Sequence, residues 1–254
     1  MGSPCISAGC GEARGRLGRV AACNCCRAMW NLRSSLCVIV VAGLMACGHA
    51  VIAADGSLTP VEIKPSDVGM PPADFEPALW GEGEPGRWTV VRDQTANDGI
   101  AIEHVSTDPH EDRFPLAIYQ LLRLENSEID VRFKIVSGTM QSAGVAVCLR
   151  NPGSFYAIIA SALEHRVDLI LFHNDKIERI GSAEAEVTAD RWHDLNVVVN
   201  DDHFIASLDR KKLFTTFDRT RMKDGRFALL TQEDNVTRFE RIRIRPLPNS
   251  YNPQ

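Results

Sequence analysis

Beyond residue 54 the chain holds a single cysteine, Cys148; the other seven lie at or before Cys47. One thiol cannot close an internal disulfide, and a cysteine inside an apolar run reads as a buried hydrophobe. The early Cys23-Asn24-Cys25-Cys26 cluster has no second half of Cys or His at ligand spacing, so no metal site is expected. The chain also lacks HExxH, GxSxG and any Gly-rich phosphate loop, which leaves no motif for a cofactor. Excess positive charge is missing too. Residues 1–54 carry five Arg and one acidic side chain, Glu12, leaving 23 basic and 32 acidic residues beyond them, a net of −9. An acidic body argues against a nucleic-acid partner and an anionic membrane surface. No segment keeps a convincing helical period for three turns, and there is no internal repeat or low-complexity tract.

The apolar run at 36–46 (LCVIVVAGLMA) covers eleven residues, too short to span a bilayer as a helix. It follows Arg27 and Arg33 and precedes small residues, which is the layout of a signal peptide. Cleavage after Ala50, Ala53 or Ala54 fits the small-residue rule. Leu44-Met45-Ala46-Cys47 resembles a bacterial lipobox and offers a lipid anchor at Cys47 as the second reading. Export to the periplasm or the exterior is the expectation. Residues 29–54 are assigned to the signal. Residues 1–28, rich in Cys, Gly and Arg, read as an upstream extension with no folding logic of its own.

Residues 55–86 hold six prolines, a density that excludes a helix or a central strand. Phe75, Leu79 and Trp80 are apolar enough to pin this lead-in onto a domain. The domain itself spans 87–246, with a short disordered tail at 247–254. Within it short apolar runs recur, each closed by Gly, Asn, Asp or Lys. Strands are expected over 87–92, 100–105, 116–119, 128–136, 144–150, 155–163, 167–172, 177–180, 191–199, 204–208, 213–217, 227–231 and 237–244. Residues 128–136 (EIDVRFKIV) alternate strictly, with Ile129, Val131, Phe133 and Ile135 on one face and charges on the other. So many short strands imply an all-β fold: a two-sheet antiparallel jelly-roll sandwich.

Arg191-Trp192-His193-Asp194-Leu195-Asn196-Val197 is followed by the hairpin Leu208-Asp209-Arg210-Lys211-Lys212-Leu213-Phe214. A closing segment then runs from Gly225 through Thr231, Asp234 and Thr237 to Phe239. These motifs resemble the concanavalin A-like lectin/glucanase sandwich. More narrowly, they are similar to the family once called domain of unknown function 1080, tied to 3-keto-disaccharide hydrolases. The resemblance covers roughly residues 73–245. It implies a concave sheet on which sugars lie, stacking on aromatics and hydrogen-bonding to polar side chains. It places Trp192 and Phe239 in the core, and Gly225 and Asp209 in turns. It also implies an Arg and an Asn where Ile159 and Ser161 stand, and an Asn near Arg166, so the polar set here is altered.

Few residues are chemically suggestive. Glu128-Ile129-Asp130-Val131-Arg132 begins like the Glu-x-Asp-x-Glu strand of glycosidases but ends in Arg132, and paired surface charge explains it more simply. His165, His173, His193 and His203 read as exposed turn histidines. The best cluster is Arg150, Tyr156, Glu164, Arg166, Gln232, Glu233 and Asp234, on strands expected to be neighbours near their turn ends. It suits sugar binding. Glu164 and Asp234 are the acid/base candidates within it. A secreted carbohydrate-binding module is the leading reading. A hydrolase of glycosides or keto-disaccharides, and a structural envelope protein, remain as alternatives.

Overall fold

Alternation of apolar and polar residues builds most of the larger sheet, and near-continuous apolar runs build the central strands of the smaller one, in the computed structural model, which describes residues 57–248 except Pro109, Thr220, Arg221 and Lys223. The stretches read as an upstream extension, a signal and a lipobox, and residues 249–254, lie outside the described residues. The first strands are β1 (Thr59–Pro60), β2 (Phe75–Trp80), β3 (Arg87–Arg92), β4 (Ile100–Val105), β5 (Phe114–Tyr119), β6 (Ser127–Ser137) and β7 (Ser142–Asn151). They continue as β8 (Ser154–Ser161), β9 (Arg166–His173), β10 (Lys176–Glu184), β11 (Trp192–Asn200), β12 (His203–Leu208), β13 (Lys211–Phe217), β14 (Arg226–Thr231) and β15 (Val236–Pro246). Two antiparallel sheets result. The larger runs β13-β12-β11-β6-β15-β4-β3, with β1 paired to β15; the smaller runs β10-β9-β8-β7-β14-β5-β2. Residues such as Asn174, Asp175, Asp209 and Arg210 take positive φ, which gives the two-residue turns between β9 and β10 and between β12 and β13 the twist of paired strands.

The core lies between the sheets. Ile129, Val131, Phe133 and Ile135 of β6 are all buried there, with Val145 and Val147 of β7 and Ile158 of β8 in the same cluster. Each such side chain contributes about 1.5–3 kcal/mol on burial. The opposite face of β6 carries its charges to the outside of the larger sheet. There Arg245 pairs with Glu128, Arg243 with Asp130 at 2.6 Å, and Arg132 with Glu240 and Asp194. The start of the glycosidase-like pattern is therefore one side of a cross-strand charge ladder.

Three features depart from expectation. The proline-rich lead-in supplies β2, which sits at the sheet edge, where Pro77 has no outer ladder bond to forfeit. Leu247, assigned to the tail, packs on Val198 and Ile205 and donates its N–H to the Asn126 carbonyl at 3.0 Å. Trp192 does not fill the core. It pairs opposite Lys134, so it shares that residue's outward face, and its ring lies 4.9 Å from the Lys134 ammonium. Phe239 is fully buried as expected. Gly225 is required by close approach: a Cβ there would sit 2.2 Å from the Cys148 carbonyl carbon.

His193 is also not an exposed turn histidine. It is buried, and its Nδ1–H donates to Asp209 Oδ2 at 2.8 Å while Nε2 accepts from the Thr188 N–H at 3.1 Å. Asp209 Oδ1 accepts from the Asp194 N–H at 2.8 Å. The most recognisable His-Asp pair in the chain thus ties a hairpin turn to the entry of β11. It is a folding clamp. His165, His173 and His203 are exposed.

Candidate functional site

The smaller sheet curls. Between β9 and β5 lie β8, β7 and β14. At about 4.8 Å per step, a flat sheet would hold β9 and β5 about 19 Å apart. Yet the rings of Phe172 on β9 and Phe114 on β5 have centroids 4.8 Å apart, and Trp80 of β2 lies 5.1 Å from Phe172. Phe155 stacks on Phe172 at 4.5 Å. Small residues on the same face of the central strands, Ala146, Ala157 and Ala228, leave room for rings to meet over them. Gly144, beside them, cannot carry a side chain, because its Cβ would lie 2.1 Å from the Ile158 carbonyl oxygen. The concave face is thus clasped shut by aromatics along part of its length.

Next to the clasp the concave face opens into a cleft of about 230 Å³. Register explains what lines it. Ser142, Ser161 and Arg166 sit opposite one another across β7, β8 and β9. Two residues along on the same face come Gly144, Ile159 and Asp168, then Ala146, Ala157, Ile170 and Arg179 of β10. Phe114, Ile159 and Ile170 give the cleft an apolar lining, while Glu164 and Gln232 reach it from turns. The charges are balanced: two guanidiniums and two carboxylates. Arg166 bridges both acids, Nη2 to Glu164 at 2.7 Å and Nε to Asp168 Oδ2 at 2.9 Å. Arg179 Nε lies 3.2 Å from the same Asp168 oxygen. Asp168 is only 5% exposed, and its other oxygen, Oδ1, is buried with no hydrogen-bond partner.

Of the seven residues expected to form a site, the structure brings Glu164, Arg166 and Gln232 into this cleft. Arg150 does not join them. It lies eight residues from Ser142 along β7, roughly 25 Å away at strand rise, and is exposed. Tyr156 has the parity of Ile158, not of Ile159, so it points between the sheets and donates its hydroxyl to Asp218 Oδ2 at 2.7 Å. Glu233 and Asp234 belong to the turn between β14 and β15. Asp234 Oδ1 accepts from the Thr139 N–H at 2.9 Å and from the Thr139 hydroxyl at 2.7 Å. Burial pushes the Asp234 carboxyl up, but the bonds from Thr139 outweigh it and hold the group below its usual range. That state does not suit a general acid near neutral pH. Glu233 Oε1 accepts from the Asp112 N–H at 3.3 Å.

This turn positions Gln232, and two buried groups that sequence reasoning missed hold it. Arg113 is fully buried, although it lies between the strands expected over 100–105 and 116–119. It donates to the carbonyls of Glu84 at 2.6 Å, His110 at 3.1 Å, Asp108 at 3.2 Å and Glu233 at 3.1 Å, and to the Ser106 hydroxyl. His104, also buried, donates from Nδ1 to the Asn235 carbonyl at 2.9 Å, and burial pushes its imidazole below its ordinary value. Asn235 in turn donates to the Ser142 carbonyl at 3.0 Å. Ser142 Oγ meets Gln232 Oε1 at 3.1 Å, which ties the turn to the cleft wall.

A second depression, on the outer face of the larger sheet, is lined by Glu128, Asp130, Asn196 and Arg243 among other polar groups and has no apolar wall. Among the described residues no cluster of His, Cys, Asp or Glu has the arrangement to hold a metal. No helix among them is long and apolar enough to cross a membrane.

No family model matches the sequence, and no curated protein matches it. Solved structures do match in shape. A carbohydrate-binding module, CBM66 from Bacillus subtilis, is similar at TM-score 0.51 and 16% identity, over 63% of this chain and 96% of that one. A Bacillus subtilis protein of unknown function with a galectin-like fold is similar at TM-score 0.51 and 8% identity, over 74% of this chain and 96% of that one. The chain therefore has a galectin-like, concanavalin A-type β-sandwich fold.

Proposed function

We propose that the protein is a carbohydrate-binding β-sandwich that holds a sugar in the cleft of its smaller sheet. One observation carries this reading. The cleft sets an apolar lining of Phe114, Ile159 and Ile170 against a polar group of Arg166, Asp168, Ser161 and Gln232. A sugar ring has the same two aspects, apolar C–H faces and a belt of hydroxyls. The shared fold with a carbohydrate-binding module supports the reading. The finer likeness to the 3-keto-disaccharide hydrolase-like family rests on the strand and hairpin motifs of the sequence alone.

Binding is favoured over hydrolysis by the carboxylates. A glycosidase holds two carboxyl groups across an open gap of about 5–9.5 Å in which the scissile bond lies. Here Glu164 and Asp168 are joined through one guanidinium instead of flanking open space. A glycan array with the full chain, run beside a reducing-sugar release assay, separates the cases. Binding without release is the expected result. Release of sugar that is lost in Glu164→Gln establishes the hydrolase instead. An array with no signal removes the carbohydrate reading and leaves a structural role.

We further propose that the protein is exported, on the strength of the basic, apolar and small-residue order at 27–54. N-terminal sequencing of the mature protein should start just after Ala50, Ala53 or Ala54, or show a modified Cys47. A chain recovered intact from the cytoplasm overturns this.

A further inference from the structure

We propose that the cleft takes a single neutral sugar ring at the end of a glycan, with Asp168 as its anchoring hydrogen-bond acceptor. The inference rests on the carbohydrate reading above and adds the ligand class and the residue that selects it.

Three observations carry it. The first is size and shape. Phe114 both lines the cleft and belongs to the aromatic clasp, so the cleft ends blind where Phe114 meets Phe172. Its volume of about 230 Å³ lies below the range of about 300–1,000 Å³ typical of drug-sized ligands. A chain laid along the strands would run into the clasp at Phe172; a chain end need not.

The second is Asp168 Oδ1. A buried polar atom without a partner is costly, and folded chains rarely leave one. Asp168 Oδ2 is fixed by Arg166 and Arg179, so the carboxylate is held in one orientation with Oδ1 left over. A carboxylate oxygen can only accept, so the missing partner is a donor such as a sugar hydroxyl. Oδ1 is closed to water as it stands. Arg179 is the movable piece: its side chain is 52% exposed and touches the cluster through Nε at 3.2 Å. A swing of that side chain admits a hydroxyl to Asp168, and its guanidinium then donates to the neighbouring oxygen of the same ring.

The third is charge. Arg166 and Arg179 are matched by Glu164 and Asp168, so the cleft offers no surplus cation to a carboxylate or sulfate on the sugar. An anionic ring would also set its charge against the unpartnered oxygen of Asp168.

The test uses the full chain and calorimetric titration with a panel of free neutral monosaccharides, the corresponding uronic acids, and di- to tetrasaccharides ending in whichever neutral sugar binds. The expected result is binding of a neutral monosaccharide, no tighter binding of its uronic acid, and affinities that stay within about threefold as the chain lengthens. Asp168→Asn should weaken binding by about tenfold or more, since an unpaired buried donor replaces the acceptor. Its melting temperature should meanwhile be measured to confirm folding. If that variant does not fold, Arg179→Ala serves in its place, because it is exposed and is expected to weaken the monosaccharide by several-fold. Affinity that climbs with chain length overturns the end-reading, and tighter binding of uronic acids overturns the neutral class. A folded Asp168→Asn, or Arg179→Ala where it stands in, with wild-type affinity overturns the anchor. In each of those cases the carbohydrate reading survives, whereas failure of every sugar and glycan tested removes both.

Discussion

Replacing Arg113 by Met keeps most of the side-chain volume and removes the guanidinium that three loops converge on. Four carbonyls, of Glu84, Asp108, His110 and Glu233, and the Ser106 hydroxyl lose their donor together. A hydrogen bond to a charged group contributes about 1.5–3 kcal/mol net. The simple sum overstates the loss, because Glu84 and His110 lie on exposed loops whose carbonyls can find water. The Glu233 and Asp108 carbonyls are more enclosed. The expected cost is about 3–5 kcal/mol, the range for breaking a buried charged contact. For a domain of this size, about 2–4 °C is lost per kcal/mol, so the melting temperature should fall by about 6–20 °C. Thermal unfolding followed by circular dichroism reads this directly. Arg113→Lys should fall in between, since a single ammonium cannot reproduce the planar fork. Sugar affinity should fall in both folded variants, because Glu233 is the residue next to Gln232. A drop under about 3 °C for Arg113→Met would refute the reasoning, as it would mean that water already satisfies these carbonyls.

Other outcomes follow from the same geometry. Burial pushes the Asp93 carboxyl up, but Lys134, Thr95 and Arg238 outweigh it and hold the group well below the usual carboxylate range. Its stabilising contribution is therefore complete above about pH 4 and lost as pH falls below that, so Asp93→Asn should flatten the acid limb of a stability–pH curve. An unchanged acid limb contradicts this. Phe172→Ala should cost about 3–5 kcal/mol in denaturant unfolding, as the clasp loses its central ring. The same variant should accept longer glycans than the wild type, because the blind end of the cleft opens. Trp192→Ala should cost only about 1–2 kcal/mol, the scale of a cation–π contact and partial burial, where a core tryptophan would cost about 3–5 kcal/mol.

The strands were legible because two signals coincided in nearly every one. Apolar patterning, period-two in strands such as β6 and near-continuous in β7 and β8, marked the strands, and Asn, Asp and Gly marked where the chain must take positive φ, as at Asn174-Asp175 and Asp209-Arg210. The strand β2 was hidden because proline argues against strands in general, while an edge position tolerates it. Side-chain environment was less legible than backbone. Arg113 lies outside every expected strand, and only convergence of loops distant in sequence buries it. The family resemblance places Trp192 in the core, although its parity with Lys134 puts it on the outer face. In the site, Glu164, Arg166 and Gln232 were found through their turns. Asp168 was passed over because it sits inside the apolar run Val167–Phe172. The available signal was its parity with Arg166, two residues back on the same strand face.

The charge ladder on the larger sheet gives the molecule one face whose charges are already paired with one another. Arg238 bonds to both Asp93, at 2.9 Å, and Glu103, at 2.7 Å, and Asp194 serves Arg132 and Arg241 together. Any partner that covered this face would have to strip water from many half-buried ions whose Coulomb attraction is already spent on one another, and would meet no net sign to complement. Such a surface repels company without being charged. On the proposed reading, a glycan seated in the opposite sheet leaves the ladder facing outward, so neighbouring copies crowded on one polysaccharide would sit side by side without sticking through their backs.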